Sequence, residues 1–344
     1  MKDKITPYLQ EQIARHPGMQ PRDILKLCYQ GAYGGDHLLT DIAKAKEYFD
    51  QEFGGVMPSD EPLYELISPE MARINLRAWK KAGLPGEWLF RLFTLSARMP
   101  MGENLRAYLD EAETLNFPGF HEARVEYEEQ GCPGVHHSDI YRKLKQPAYR
   151  VVNCRLLRLI PVLQQAAFAE GTRPRVLAID GRAASGKTTM AEQLAYILEA
   201  PVIHMDHFFL PPELRTQTRL DEPGGNIHYE RFKEEVLPYL RGAASFSYRR
   251  FDCSQMKYGE SVTVPAGKWR IVEGSYSLHH AFGPYADVTV FSHVDREEQA
   301  RRILARDGAQ FAQIFRDRWI PLEEKYFSAY SIEQRADVAF TASF

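Results

Sequence analysis

The decapeptide DGRAASGKTT, Asp180–Thr189, decides how the second half of this chain is read. It follows the apolar run RVLAI and leads into KTTMAEQLAYILE, where Met190, Leu194, Ile197 and Leu198 fall on one helical face. Gly181 to Thr188 satisfies G-x-x-x-x-G-K-[ST] at every fixed position, in the strand–loop–helix setting that this phosphate-binding pattern requires. The glycines allow a tight turn that aims the backbone N–H groups of Ala183, Ala184, Ser185 and Gly186 at phosphate oxygens. The helix start at Lys187, Thr188 and Thr189 adds a favourable partial charge. Lys187 reaches the β- and γ-phosphates, and the Thr188 hydroxyl is placed for Mg²⁺. Binding of ATP or GTP is the expectation.

Outward from this loop, short β-branched runs alternate with helical stretches. RVLAID (Arg175–Asp180), APVIHMD (Ala200–Asp206), KWRIVEG (Lys268–Gly274), ADVTVFSHV (Ala286–Val294) and ADVAFTAS (Ala336–Ser343) read as buried parallel strands. SFSYRRFD followed by ESVTVPAG reads as an antiparallel excursion. The fold class expected is α/β, a parallel sheet with helices on both faces.

Residues 1–170 read differently, as a mostly α-helical domain. Asp41–Phe53, Leu84–Met99 and Glu103–Leu115 carry apolar residues three and four apart, and a long helix from Tyr149 to Glu170, broken near Pro161, closes the segment. GTRP (Gly171–Pro174) is the expected linker, giving domains of 1–170 and 171–344.

Composition narrows the classes. Residues 1–170 hold 21 Lys and Arg against 23 Asp and Glu, and the remainder 22 against 23, so neither half has the basic excess of a nucleic-acid binder. There is no apolar run of membrane-spanning length and no signal-peptide core in MKDKITPYLQ, so a cytoplasmic location is expected, with no membrane partner. The four cysteines lack CxxC spacing and read as reduced thiols, and a metal site from Cys132, His136 and His137 is disfavoured.

Ligands of open α/β sheets sit beyond the strands' C-terminal edges, which singles out Asp206 in HMDHFF. Its carboxylate can take a proton from a hydroxyl and help to hold Mg²⁺, or serve as an ordinary turn aspartate. Here the stretch from about Arg175 to Phe344 resembles the uridine kinase and phosphoribulokinase group of P-loop kinases. GRAASGKTT is similar to that group's phosphate loop, and MDHFF to its Asp-x-Phe-Tyr segment, which implies that Asp206 is the base. IVEGSY resembles the strand ending in Glu-Gly, implying Glu273 as a magnesium ligand with Thr188 and Asp206. LDEPGGNIHYERF is similar to the acceptor-binding stretch; Asp221 and Pro223 match, while His228 stands where a second aspartate is usual. YRRFDCSQMKYGE looks like the segment that closes over the nucleoside, with Tyr248, Arg250 and Asp252 as contacts. RRILARDG resembles the lid helix, implying Arg302 and Arg306 as ligands of the transferred phosphate; Arg316 and Arg318 are weaker candidates. Arg306 has Arg302 four residues before it and Gln310 four after, an arrangement that favours an anion.

In the first half, Arg73, Arg77, His136, His137 and Arg150 could form an anion pocket, although solvated helix faces capped by Ser138 or Asp139 explain them better. The glycines of YQGAYGGDHLL read as a flexible turn. The sequence therefore points to an ATP- and Mg²⁺-dependent kinase of a small hydroxylated metabolite, a nucleoside foremost and a sugar, sugar phosphate or vitamin precursor otherwise. A nucleotide-driven regulatory or interaction protein is the other class left open, and an oligomer is compatible with either.

Overall fold

The computed structural model describes residues 5–100, 102, 104–169 and 172–341. The chain divides into two compact units, Met1–Arg158 and Leu159–Phe344.

The first unit is built on helices Thr6–Arg15, Pro21–Tyr33, Ile42–Gly55, Gly86–Ala97, Leu105–Glu113 and Phe120–Glu129. Its core centres on the second of these, where Ile24, Leu27, Cys28 and Ala32 pack against Tyr108, Leu109 and Phe120. It also holds an antiparallel sheet in the order β1 (Tyr64–Leu66), β2 (Met71–Asn75), β3 (Tyr149–Asn153). The long helix expected from Tyr149 to Glu170 is therefore corrected. Tyr149–Asn153 is a strand, Cys154–Leu159 a 3₁₀ turn, and only Ile160–Phe168 is α-helical, within the second unit. Val151 and Val152 pair with Arg73 and Ala72, partners 78 and 80 residues away that no local period announces. Arg73 likewise lies on the central strand, and the following helix Leu76–Lys81 is capped by the Asn75 carboxamide, which accepts from the N–H of Arg77 at 2.9 Å. Glu170 and Gly171, at the expected linker, lie outside the described residues.

The second unit carries a five-stranded parallel sheet with strand order β10-β9-β4-β8-β5. Its strands are β4 (Arg175–Gly181), β5 (Val202–His204), β8 (Trp269–Glu273), β9 (Val288–His293) and β10 (Val338–Thr341); β6 (Phe246–Asp252) and β7 (Lys257–Val264) form a separate antiparallel hairpin. β4 lies at the centre, buried from Val176 onward, with β8 and β9 as neighbours. All five sheet strands run the same way, so Gly181, His204, Glu273 and Ser292 emerge at one edge, and the later strands are laid down on opposite sides of β4, β8 and β5 on one and β9 and β10 on the other. That is where an open α/β sheet leaves a crevice.

Candidate active site

The loop after β4 is shaped by its glycines. Gly181 has φ +140°, and a Cβ there would lie 2.2 Å from the Ser292 carbonyl oxygen on β9. Gly186 has φ +85° and opens helix Lys187–Leu198. The first-turn N–H groups of that helix have no intrahelical acceptor, so they face the loop's hollow as anion donors.

Beneath the loop, Asp180 is fully buried and accepts from the N–H of Gly181 (2.7 Å), Tyr276 (3.1 Å) and Leu278 (2.9 Å) and from the Tyr326 hydroxyl (2.8 Å). Four donors on one carboxylate tie the end of β4 to the segment after β8 and to helix Ile320–Tyr330. Burial still pushes the carboxyl above its ordinary value, with those donors pulling the other way. Lys187 is buried, and its ammonium donates to the Arg182 carbonyl at 2.8 Å across the loop.

A cleft of about 900 Å³ lies over this edge. It is lined by Ala183 to Thr189, by Asp206 and Glu273 from the ends of neighbouring strands, and by Arg301, Arg302 and Arg306 from helix Arg296–Ile314. The phosphate-loop residues Ala183 to Thr189, together with the proposed base, the second carboxylate and both lid arginines, thus meet in one cavity, while Gly181 does not line it and shapes the loop from behind. Arg302 donates to the Ala184 carbonyl at 3.1 Å and to Glu298 at 2.6 Å. Arg306 is not left facing only like charge: its guanidinium pairs with the adjacent Asp307 at 2.8 Å, a neighbour that i±4 spacing overlooks.

Thr188 Oγ1 stands 3.4 Å from Glu273 Oε2, and Glu273 Oε1 is 2.5 Å from His204 Nδ1. The hydrogen bond to Glu273 raises the His204 imidazole. Asp206 keeps an exposed face toward the cleft, yet the surrounding protein mass and then the charge of Glu273 push its carboxyl up, against the pull of Lys187, His204 and Arg306. Asp206 and Glu273 beside the Thr188 hydroxyl form the oxygen-rich donor set that suits Mg²⁺, which takes one or two carboxylates and completes its shell with phosphate and water. Among the described residues no cluster of three His, Cys, Asp or Glu forms a metal site by itself.

The substrate contacts expected from the sequence are placed elsewhere. Asp221 ends helix Gln217–Asp221 and accepts from Gln217 at 2.9 Å. His228 caps helix Tyr229–Glu235 and faces Glu230 at 3.2 Å. Tyr248 is buried, its hydroxyl 2.9 Å from His207 Nδ1. Arg250 is exposed on β6, and Asp252 accepts from the N–H of Ser254 and Gln255 in the turn that follows. None of the five lines the cleft. Arg316 and Arg318 do not line it either; they sit beside Asp317 and over the Trp319 ring. The cleft wall instead uses Phe209, Arg215, Asn226, Cys253, Trp319 and Glu323. Phe209, Asn226 and Cys253 fall inside the quoted stretches MDHFF, LDEPGGNIHYERF and YRRFDCSQMKYGE without having been singled out there, whereas Arg215, Trp319 and Glu323 carried no sequence signal.

In the first unit the five residues of the expected anion pocket serve separate structural ends. Arg73 donates to Gln30 at 2.8 Å and lies over the Tyr149 ring, Arg150 pairs with Glu52 at 2.7 Å, and Arg77 donates to the Gln146 carbonyl. His137 is buried between Asp23 and the Tyr149 hydroxyl, while His136 is exposed. Ser138 caps helix Asp139–Lys145.

No family model matches the chain. It is similar to cytidylate kinases of Pyrobaculum calidifontis (24% identical over 161 residues, 46% of this chain and 76% of that protein) and of Pyrobaculum islandicum (26% identical over 161 residues, the same shares). Among solved structures it is similar to a possible uridine kinase from Bacillus stearothermophilus, at 21% identity and a TM-score of 0.42, covering 53% of this chain and 97% of that one.

Proposed function

We propose that the second unit transfers the γ-phosphoryl group of ATP to a hydroxyl of a small metabolite of the nucleoside or sugar type, with the first unit as an accessory domain. The observation that carries this reading is the single cleft in which a complete phosphate loop, Asp206, Glu273, Arg302 and Arg306 face one another. Similarity to cytidylate kinases supports the same class of chemistry.

In this reading the loop amides and Lys187 hold the triphosphate, and Thr188 and Glu273 hold Mg²⁺, with Asp206 beside them. The ion supplies charge neutralisation on the β- and γ-phosphates. Asp206, its carboxyl raised but open to the cleft, accepts the proton of the attacking hydroxyl as the new O–P bond forms and the bond to the β-phosphate breaks. Arg302 and Arg306 approach the equatorial oxygens, exchanging Glu298 and Asp307 for the anion. A GTP donor would meet the same phosphate groups.

The test is direct. Protein is incubated with Mg·ATP and a panel of nucleosides, nucleotides, sugars and hydroxy acids, and phosphorylated products are sought. Transfer that disappears in Lys187→Ala and Asp206→Asn supports the reading; nucleotide binding with no product from any acceptor removes it.

A further inference from the structure

Three features of the cleft are unexplained by a phosphate loop and a general base. Asn226 is only 5% exposed and lines the cavity, and among the described residues its carboxamide oxygen and nitrogen make no hydrogen bond of ordinary geometry, the Tyr276 hydroxyl being the polar group beside it. A ligand that pairs with this amide would supply the hydrogen bonds it lacks. Arg215 is half-buried on the same wall, fixed by its Nε–H to the Leu210 carbonyl at 2.7 Å. Among the described residues no carboxylate is in ion-pair contact with it, whereas the cleft's other arginines, Arg301, Arg302 and Arg306, each face Glu298 or Asp307. Burial also lowers the guanidinium from its ordinary value, so an anion beside it would stabilise the charge. Thirdly, Phe209 and Trp319 stand with ring centroids 6.3 Å apart and present an apolar flank.

These groups are on the base's side of the cavity. Phe209 follows Asp206 by three residues and bridges to Ile227, and the Leu210 N–H bonds the Asn226 carbonyl at 3.0 Å. Cys253, another lining residue, has its sulfur 3.8 Å from the Asp206 carbonyl oxygen. A cavity of about 900 Å³ is at the upper end for a single small ligand, so a nucleotide and an acceptor both fit.

We infer that the acceptor carries an anionic group of its own, a carboxylate or a phosphomonoester, held by Arg215, while Asn226 pairs with a polar group on its body and Phe209 and Trp319 flank its apolar face. This rests on the kinase reading above and makes it more specific. Arg215 is a specificity residue here, distinct from the arginines that neutralise the transferred group. A guanidinium fork favours planar, bidentate recognition of either oxyanion.

Matched pairs that differ only in the anion test it: ribose and ribose 5-phosphate, cytidine and cytidine monophosphate, pantothenol and pantothenate. Binding is measured by calorimetry in the presence of Mg²⁺ and a non-hydrolysable ATP analogue, and transfer from ATP is measured separately. The anionic member of at least one pair is expected to bind about 10–100-fold more tightly than its neutral partner, the range of a charge-assisted hydrogen bond. Arg215→Met should erase that preference, Arg215→Lys should restore part of it, and Asn226→Ala should weaken both members alike, with ATP affinity unchanged in all three. Neutral members binding as well as anionic ones, a preference that survives Arg215→Met, or no binding by any anionic member overturns the inference. Transfer to neutral acceptors alone refutes this inference and leaves the kinase reading standing; preferential anion binding without transfer to any acceptor refutes the kinase reading.

Discussion

The Glu323 carboxylate accepts a 2.9 Å hydrogen bond from the backbone N–H of Ala183, 140 residues earlier, inside the phosphate loop. Its other oxygen is 2.6 Å from the Ser275 hydroxyl. A buried anion thus lies on one of the loop's donors, where burial raises its carboxyl and Lys187 is the main opposing influence. Its charge opposes that of a triphosphate. Glu323→Gln keeps an acceptor for Ala183 and removes the charge, so ATP should bind about threefold to tenfold more tightly, the scale of one screened charge pair in a partly wet cleft. Equilibrium nucleotide titration of the variant checks this; unchanged or weaker binding refutes the electrostatic account.

Asp206→Asn is expected to lower the transfer rate by about 10²–10⁴-fold, the usual contribution of a general base, with ATP affinity nearly unchanged. Because the carboxyl of Asp206 is raised above the ordinary aspartate value of 3.8, the active, deprotonated form is lost on acidification at a pH above that value. A pH–rate profile should therefore fall on its acid side above pH 3.8 in the wild type and lose that limb in the variant.

Gly181→Ala should abolish nucleotide binding. The added methyl meets the Ser292 carbonyl at 2.2 Å, backbone against backbone, so the loop must move off β9. Gly186→Ala meets no atom within 4 Å and carries only the strain of φ +85°, about 1–2 kcal/mol. Fluorescent-nucleotide binding and thermal melts of the two variants separate the effects.

Acid should loosen the first unit. Burial raises Asp23, but His137, Gln20 and Ser138 donors outweigh it and hold the carboxyl at about 2, below 3.8. Its stabilisation, about 2 kcal/mol, is complete above pH 3.8 and lost as pH falls toward 2. Burial lowers His137 from 6.5 to about 3, so the folded state favours neutral imidazole, and that contribution begins to disappear below pH 6.5. The hydrogen-exchange protection factors of helix Pro21–Tyr33 in the intact protein, corrected for the intrinsic pH dependence of amide exchange, should fall from about pH 6 downward. Protection factors unchanged down to pH 4 would contradict this.

Arg270, on β8, is fully buried and donates to the carbonyls of Leu240, Gly242 and Ala244 at 2.6, 2.7 and 2.9 Å. Arg270→Met fills similar space but leaves three acceptors unpaired, so it should cost about 3 kcal/mol or more of stability. Urea denaturation measures the loss.

The sequence by itself determined the phosphate loop, the five parallel strands and the helix after the loop, because each is written in contiguous residues whose backbone or burial demands are local: glycines where φ is positive, apolar runs where both faces are covered. It also placed Asp206 and Glu273 at strand ends, and parallel strands bring their ends to one edge. Tertiary structure alone decided the rest. β3 was hidden because Val151 and Val152 become a strand only by pairing with β2, and a short apolar run has no period to distinguish strand from helix. Tyr248 and His228 lay in motif stretches yet became a core residue and a helix cap, whereas Asn226 went unremarked within one such stretch, Arg215 and Glu323 matched nothing, and all three line the cleft. The reason is physical: a pocket wall is assembled from loops and helices remote in sequence, and whether a polar side chain is left without a partner depends on every neighbour the fold supplies.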